Sequence, residues 1–454
     1  MTGILTLLNW IILIGTSVFL IGLCLSCFRE KEIRAAVISS VICMLNMLVW
    51  AWFITAPDRF QTLNLLIVSL VSVFGLISFI KYFPARSGRR DTSNAEQYDE
   101  RNNMFARNNI QHHPQLMETY YALHPEKKST DQQIHKKPEF GEKEQIYHDR
   151  YTVPCYKAAF EYLERSIPLS TGIVTEPKIS IDPIQFCKTI RDMSKFYGAC
   201  DISFLRLKPH HFYSHKGRHA ENWGQETDQT HKTAIAIVVP MRVDMIKKAP
   251  TSSVLQESAQ KYVEAAKISN ILAGYIRNFG YPARAHNDAN YDTLCVPIAV
   301  ESGLGELGRL GIFMHRVFGP CVRLAIVTTD LELPDVSIPE PLHMEEFCNI
   351  CKKCADNCPS GSISHGNEPY SRNFKHWSIN QEKCFSYWKT IGSDCGLCIC
   401  VCPYTKPDTM IHKLVRFYIS RNLLNQRIAL FMDDLLYGRN RKIPKTNPEN
   451  IFSA

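Results

Sequence analysis

Hydrophobic and polar positions divide the chain into zones of different character. Up to residue 80 the pattern is long apolar runs broken by short charged loops: Ile4 to Phe28, Ala35 to Thr55 and Leu63 to Ile80 carry no charge. Each is close to the ~20 residues that cross a bilayer as a helix, which predicts a three-helix transmembrane anchor over residues 1–86. A cleaved signal peptide would begin with a basic stretch and stand alone, and neither holds. Nor does a twin-arginine signal fit, because Arg89-Arg90 follows the last span. The loop after the first span holds Arg29, Lys31 and Arg34, and the segment after the third opens with Lys81, Arg86, Arg89 and Arg90. Only Arg59, beside Asp58, lies between the second and third. The positive-inside rule then puts the N-terminus outside and the large domain in the cytoplasm, as a multi-pass protein of the cytoplasmic membrane. The basic segments suit an anionic inner leaflet. The spans hold no acidic residue to mark a proton path. No histidine precedes His112, so a bis-histidine haem in the bundle is excluded.

Residues 87–148 are polar, rich in Asn, Gln, His and Lys, and read as a linker with a few local helices. Its clustered histidines, such as His112-His113, read as solvated rather than metal-binding. Globular patterning starts near Tyr151. Ile184 to Tyr197 has helical spacing, with Asp182-Pro183 placed as a helix start. Ala234 to Val239 and Leu324 to Thr328 read as buried strands. Ser253 to Phe279 reads as a long helix that carries Tyr262 and ends at Gly280-Tyr281-Pro282. Strands alternating with helices predict an α/β core over residues 149–340.

The net charge is +8 over 454 residues. Eight Lys/Arg against three acids up to residue 90 account for +5 of it, leaving +3 for the rest. That near-neutral remainder gives no case for nucleic-acid binding, and runs such as Lys247-Lys248 read as solvated surface.

The densest chemistry lies in residues 341–410. Cys348, Cys351, Cys354 and Cys358 form C-x-x-C-x-x-C-x-x-x-C followed by Pro359; Cys384 stands alone; Cys395, Cys398 and Cys402 form C-x-x-C-x-x-x-C followed by Pro403. The first run has the bacterial ferredoxin spacing, in which three close thiolates hold one [4Fe–4S] cube and the fourth ligates the other. This assigns Cys348, Cys351, Cys354 and Cys402 to one cluster, and Cys384, Cys395, Cys398 and Cys358 to a second. Structural zinc sites usually show paired knuckles instead, and cysteines at this spacing suit a reducing site better than disulfides. Cys400 lies off the spacing and reads as a spare.

Gly303-Leu304-Gly305-Glu306-Leu307-Gly308-Arg309 is a further candidate site, with glycines where a ligand could approach the backbone or a tight turn could form. It matches the dinucleotide fingerprint only superficially, because no strand leads clearly into it and Pro297 lies just upstream.

In combination, several segments resemble the corrinoid-dependent reductive dehalogenases. They are Tyr281-Pro282-Ala283 through Asn287-Asp288, the Gly303–Arg309 segment, Phe318-Gly319-Pro320-Cys321-Val322-Arg323, and Thr329-Asp330-Leu331. Further matches are Phe347-Cys348 with Cys351-Lys352-Lys353-Cys354-Ala355, Asp394-Cys395-Gly396, and Asp433-Asp434 with Tyr437-Gly438. The resemblance covers about residues 180 to 440. It implies cobalamin held base-off in the core, lined by Gly303, Gly305, Glu306, Gly308 and Arg309, and fed by the two [4Fe–4S] clusters. No D-x-H-x-x-G signature of histidine-on cobalamin occurs. The family's proton-donating tyrosine matches Tyr262, its supporting asparagine Asn287 (one residue out of the usual spacing), and its supporting arginine Arg323. Arg323 is a permanent cation able to stabilise a phenolate or halide, and Asn287 can orient a substrate or water.

The expected protein is thus a membrane-anchored α/β (α+β) chain: anchor, linker, cobalamin-binding core, ferredoxin-like domain, and a C-terminal segment (411–454) packing on the core. The implied partners are an organohalide, the bilayer, and an electron donor such as a quinol, a ferredoxin or a membrane partner subunit; a homodimer is compatible with the sequence. Typical respiratory members carry a twin-arginine signal, which this chain replaces with three spans. Two other readings stay open: an epoxyqueuosine reductase-like enzyme, against which the spans and the near-neutral soluble part argue, and an electron-transfer subunit, for which the core is a domain too many.

Overall fold

The computed structural model describes residues 2–55, 57, 60–82, 95–288, 290–334, 342–367, 370–371, 374–448 and 452. In chain order, α1 (Thr2–Arg29), α2 (Ile33–Thr55) and α3 (Gln61–Phe79) precede the short α4 (Met104–Asn109), α5 (Pro114–Leu123) and α6 (Pro125–His135). The core follows as α7 (Thr152–Ser166), α8 (Pro183–Phe196), β1 (Asp201–Arg206), β2 (Thr233–Pro240), α9 (Val243–Ile246), α10 (Ser252–Asn278), β3 (Ala283–His286), α11 (Cys295–Glu301), β4 (Gly305–Leu307), β5 (Phe313–His315) and β6 (Val322–Thr329). Then come α12 (Met344–Cys351), α13 (Lys353–Asp356), β7 (Tyr370–Ser371), β8 (Phe374–Lys375), α14 (Gln381–Ile391), α15 (Leu397–Cys400), α16 (Met410–Ile419) and α17 (Leu423–Tyr437). The chain divides into two compact units, one of Met1–Gly88, Glu346–Cys351 and Lys406–Arg441, the other of Arg89–Glu345, Lys352–Thr405 and Lys442–Ala454.

In the first unit, α1, α2 and α3 are long and apolar enough to cross a membrane. Side chains such as Ile4, Leu7, Ile11, Leu48 and Leu70 are exposed along them, as lipid-facing residues are. Small polar groups tie α1 to α2: Thr16 Oγ1 lies 3.1 Å from Asn46 Oδ1, and Asn46 Nδ2 donates to Ser17 Oγ at 3.2 Å. The basic residues Arg59, Arg86, Arg89 and Arg90 used for the orientation lie outside the described residues.

The second unit is built on a four-stranded sheet in the order β1-β2-β6-β3, antiparallel at every pairing. The core is therefore α+β, where strand–helix alternation alone suggested α/β. The expected elements form: α8 starts on Asp182, whose side chain accepts from Ile184 N at 2.9 Å, and β2 is buried along nearly its whole length. One sheet face, with Ile235, Ile237, Val239, Ala325, Val327, Ala283 and Ala285, packs against Ile268, Leu272 and Ile276 of α10. Each buried Ile, Leu or Val among them contributes roughly 1.5–3 kcal/mol.

Two expected boundaries shift. The described part of the polar segment (95–148) is folded structure rather than a solvated linker. Arg107 and Asp131 form a buried ion pair at 2.5 Å, which Tyr121 and Glu382 complete, and Met104 and Ile134 pack on Phe385 of α14. Polar residues hid this because they pair with each other in the interior. The C-terminal segment also divides. Its α16 and α17 belong to the unit of the anchor. Residues near 445 lie on the core, where Tyr147 Oη donates to Pro444 O at 2.5 Å and Ser252 Oγ to Asn447 Oδ1 at 3.0 Å.

Candidate active site

Strand alternation places the key side chains. Ala325 and Val327 of β6 face α10, so Arg323 shares that face. Ala283 and Ala285 of β3 do likewise, which puts Asn287, the next odd position, there too. β3 and β6 pair His286 with Ile326, so continuing the register sets Asn287 two residues from Arg323. Ser258 and Tyr262 stand one turn apart on α10.

Arg323 and Tyr262 meet: the guanidinium carbon lies 5.0 Å from the centre of the phenol ring. The guanidinium is fixed by Ser258 Oγ at 2.6 Å and Asp394 Oδ2 at 3.5 Å, with the Met241 sulfur at 3.2 Å. Asn287 sits two turns along α10, its amide donating to Ser269 Oγ at 3.2 Å and Asn270 Oδ1 at 3.1 Å. Its Oδ1 and the Arg323 Nε are buried without a protein partner.

Burial pushes the Tyr262 phenol up to about 12, with Arg323 opposing it and Asp288 adding to it. The phenol therefore stays protonated at neutral pH. Burial also raises the Asp288 carboxyl, against the pull of Arg218 and Arg323, and raises Asp394 against Arg323. Cys295 is pushed up to about 12 by burial, and Tyr291 rises well above its ordinary value for the same reason, helped by Cys295 and Asp288. Each of these groups is partly covered by protein and keeps some accessible surface. A protonated phenol beside a permanent cation can hold a proton, release it toward a bound carbon, and stabilise the anion left behind.

The residues sequence reasoning missed are Ser258, Asp288, Tyr291, Cys295 and Asp394. Ser258 was within reach, because it lies one turn from Tyr262 on the same helix. Asp288 and Asp394 stood inside quoted motifs without a role.

The glycine segment has a mainly internal explanation. A Cβ on Gly305 would run into Met314 O, backbone of the facing strand, so the β4–β5 hairpin itself demands that glycine, whereas one on Gly308 would meet the flexible Met314 side chain. Gly303 has φ +80° in the turn after α11. The Glu306 carboxylate accepts from the backbone nitrogens of Leu342 (2.5 Å), His343 (3.1 Å) and Met344 (2.8 Å), capping α12. Arg309 is buried, donates to Ser364 O at 2.8 Å and Gly366 O at 2.7 Å, and stacks on Trp377. The side chains expected to touch a cofactor are thus engaged with the protein's own backbone and rings.

Of the eight cluster cysteines, Cys358, Cys384, Cys395 and Cys398 lie in one unit and within electrostatic reach of each other. Burial first, and then the neighbouring sulfurs, push Cys384 and Cys395 up to about 12 and Cys398 well above its ordinary value. Four such sulfurs ionise together only around compensating cations, which iron supplies. Cys354 acts on Cys398 as well, so this reach does not by itself divide the cysteines between two clusters. Cys348, Cys351, Cys354 and Cys402 are each buried. Cys400 packs in an apolar cluster with Cys321, Met241 and Leu397, in keeping with its place off the spacing.

Residues 347–406 match the 4Fe-4S dicluster domain. A tetrachloroethene reductive dehalogenase of Desulfitobacterium hafniense is 35% identical over 223 residues, 46% of this chain and 40% of its own length. One from Sulfurospirillum multivorans is 30% identical over 308 residues, 60% of this chain and 61% of that one. Among solved structures, a catabolic reductive dehalogenase in complex with 3-bromo-4-hydroxybenzoic acid superposes with a TM-score of 0.61 at 21% identity, covering 80% of this chain and 50% of that one. The fold defines an α+β core that carries a 4Fe-4S dicluster domain. In sequence and fold the chain is similar to these reductive dehalogenases. The chain spans 40% to 61% of the length of these two curated relatives.

Proposed function

We propose that this chain is a membrane-anchored reductive dehalogenase that removes halide from an organohalide, using cobalamin and two [4Fe–4S] clusters. The observation that carries the reading is Tyr262 stacked on Arg323 at the end of a shared sheet–helix face, inside a fold matched to reductive dehalogenases. The enclosed surface around Tyr262, Asn287 and Arg323 would face the cofactor and substrate, and the Gly303–Arg309 segment would contribute backbone shape. A bound corrinoid would supply low-valent cobalt to break the carbon–halogen bond, with electrons from the clusters. Tyr262 holds the proton for the carbon, because burial keeps it neutral. Arg323 stabilises the phenolate that forms, and Asn287 offers its unpartnered Oδ1 to substrate or water. Burial of these groups would limit access of bulk water. The clusters would be Cys348/Cys351/Cys354/Cys402 and Cys384/Cys395/Cys398/Cys358. The electron donor would be a quinol, a ferredoxin or a membrane partner subunit, and the catalytic domain would face the cytoplasm.

The test is the purified full chain, extracted for corrinoid and assayed for halide release against chlorinated and brominated compounds with a low-potential reductant. Corrinoid with halide release supports the reading. Iron–sulfur without corrinoid favours an electron-transfer subunit, and epoxyqueuosine reduction without halide release favours the related tRNA-modifying chemistry.

A further inference from the structure

Helices α16 and α17 expose apolar side chains that the fold leaves uncovered. On α16 they are Met410, Leu414 and Phe417, at i, i+4 and i+7; on α17 they are Leu424, Phe431 and Leu435, at i, i+7 and i+11. Each set lies on one helix face. The opposite faces carry the buried residues, His412 and Ile419 on α16 and Asn425, Gln426 and Leu436 on α17. An amphipathic helix normally buries its apolar stripe in protein. Here a second apolar stripe faces outward.

The place of this hairpin says what covers it. It is built onto the ends of all three spans that the basic loop marks as one side. At the end of α1, Gly22 meets Ile411, and Glu30 pairs with His412 at 2.8 Å. At the start of α2, Ala35 and Ala36 pack with Leu436, and Arg34 donates to Leu435 O at 3.3 Å. At the end of α3 the hairpin closes the free carbonyls of the last turn. Arg421 donates to Phe79 O at 2.7 Å, Asn422 to Ile80 O at 3.0 Å, and Asn425 to Ser78 O at 2.9 Å. The hairpin therefore sits at the depth where three membrane helices end, which is where headgroups meet acyl chains. Cations flank the apolar stripes, with Lys413 and Arg427 exposed beside them, as an anionic leaflet requires.

We infer that the α16–α17 hairpin lies in the membrane interface, with Met410, Leu414, Phe417, Leu424, Phe431 and Leu435 seated in the lipid of the same leaflet that receives the ends of α1 and α3. The occupant of the exposed face is the phospholipid bilayer, continuous with the lipid around the spans. The anchor is then two-part, one piece from each end of the chain. This rests on the reading of α1–α3 as membrane helices.

The experiment uses the full chain in native membranes, with a photoreactive benzophenone amino acid placed singly at Phe19, Phe417 or Phe431, and at Met410 as a further hairpin position should either aromatic replacement lower expression. After irradiation the adducts are identified by mass. Phospholipid adducts at Phe19 and at the hairpin positions, in comparable yield, are expected. Lipid at Phe19, but a second copy of this chain, another polypeptide or no adduct at the hairpin, overturns the inference while leaving the anchor standing. No lipid at Phe19 overturns the anchor itself and the inference with it.

Discussion

At Tyr262 two opposing effects meet, and burial wins: the Arg323 charge lowers the phenol's tendency to stay protonated, yet the phenol still lies at about 12. Its folded value is raised, so its contribution to stability is complete below ~10 and is lost as pH rises through 12. Through the neutral range it is a loaded acid. Tyr262→Phe should abolish halide release while iron and corrinoid contents stay unchanged; full turnover in that variant would remove the proton-donor role. Ser258 and Asp394 act through Arg323 rather than on substrate. Ser258→Ala should lower kcat about 10-fold, or ~1.4 kcal/mol, with KM little changed. Ser258→Thr, which restores the hydroxyl, should recover part of the loss, and an equal loss in both variants would point to packing instead. The family's motifs pointed to Tyr262 and Arg323, which the structure brings together, and the face that Arg323 shares with Asn287 follows from period-two alternation. Ser258, Asp288 and Asp394 were not legible in the sequence, because their roles depend on side chains that meet only once the sheet and helix are assembled.

Between elements, the β4–β5 hairpin and α12 form one device. Glu306, on β4, caps the helix that carries Cys348 and Cys351. A carboxylate at a helix N-terminus, bonded to several backbone nitrogens, stabilises it by roughly 1–2 kcal/mol. Glu306→Ala should therefore reduce occupancy of one [4Fe–4S] cluster, read as a lower iron content and a halved reduced-cluster EPR signal, and leave corrinoid bound. Gly305→Ala and Gly308→Ala should differ in kind. The first drives a Cβ into the Met314 carbonyl, which is backbone and cannot yield; the second meets the flexible Met314 side chain. Gly305→Ala should lower the thermal midpoint much more, and equal shifts would argue that the glycines answer to a ligand instead. The sequence exposed this segment's glycines and left a ligand or a tight turn as their reason, because a close backbone approach looks the same whether the visitor is a ligand or the facing strand. The folded state of residues 95–148 was hidden for a related reason: a buried pair such as Arg107–Asp131 has the composition of a solvated loop.

Across the whole molecule, orientation decides which compartment the active site sees. Arg29 ends α1, Lys31 follows it and Arg34 lies in the first turn of α2, and the connection between the two helices holds Glu30 against His412 of α16. Because α17 also reaches the end of α3, residues 410–437 lie at the same end of the three apolar helices as that loop. The apolar runs alone told of three spans. That the C-terminal helices return to them was not legible, since α16 and α17 have the pattern of ordinary amphipathic core helices. A reporter at the C-terminus therefore reads the loop's side directly. Fused green fluorescent protein should fluoresce and fused alkaline phosphatase should be inactive, as for a cytoplasmic end. Replacing Arg29, Lys31 and Arg34 together by Gln removes the retention signal of that loop, and a fraction of the chains should then show phosphatase activity. The paired measurement separates charge from packing. If the triple variant stays wholly cytoplasmic, the contacts of α16 and α17 with the span ends, or the basic residues after α3, set the topology without the loop. If the unsubstituted chain itself shows phosphatase activity, the catalytic unit lies outside, and its electrons must come from a donor on that face.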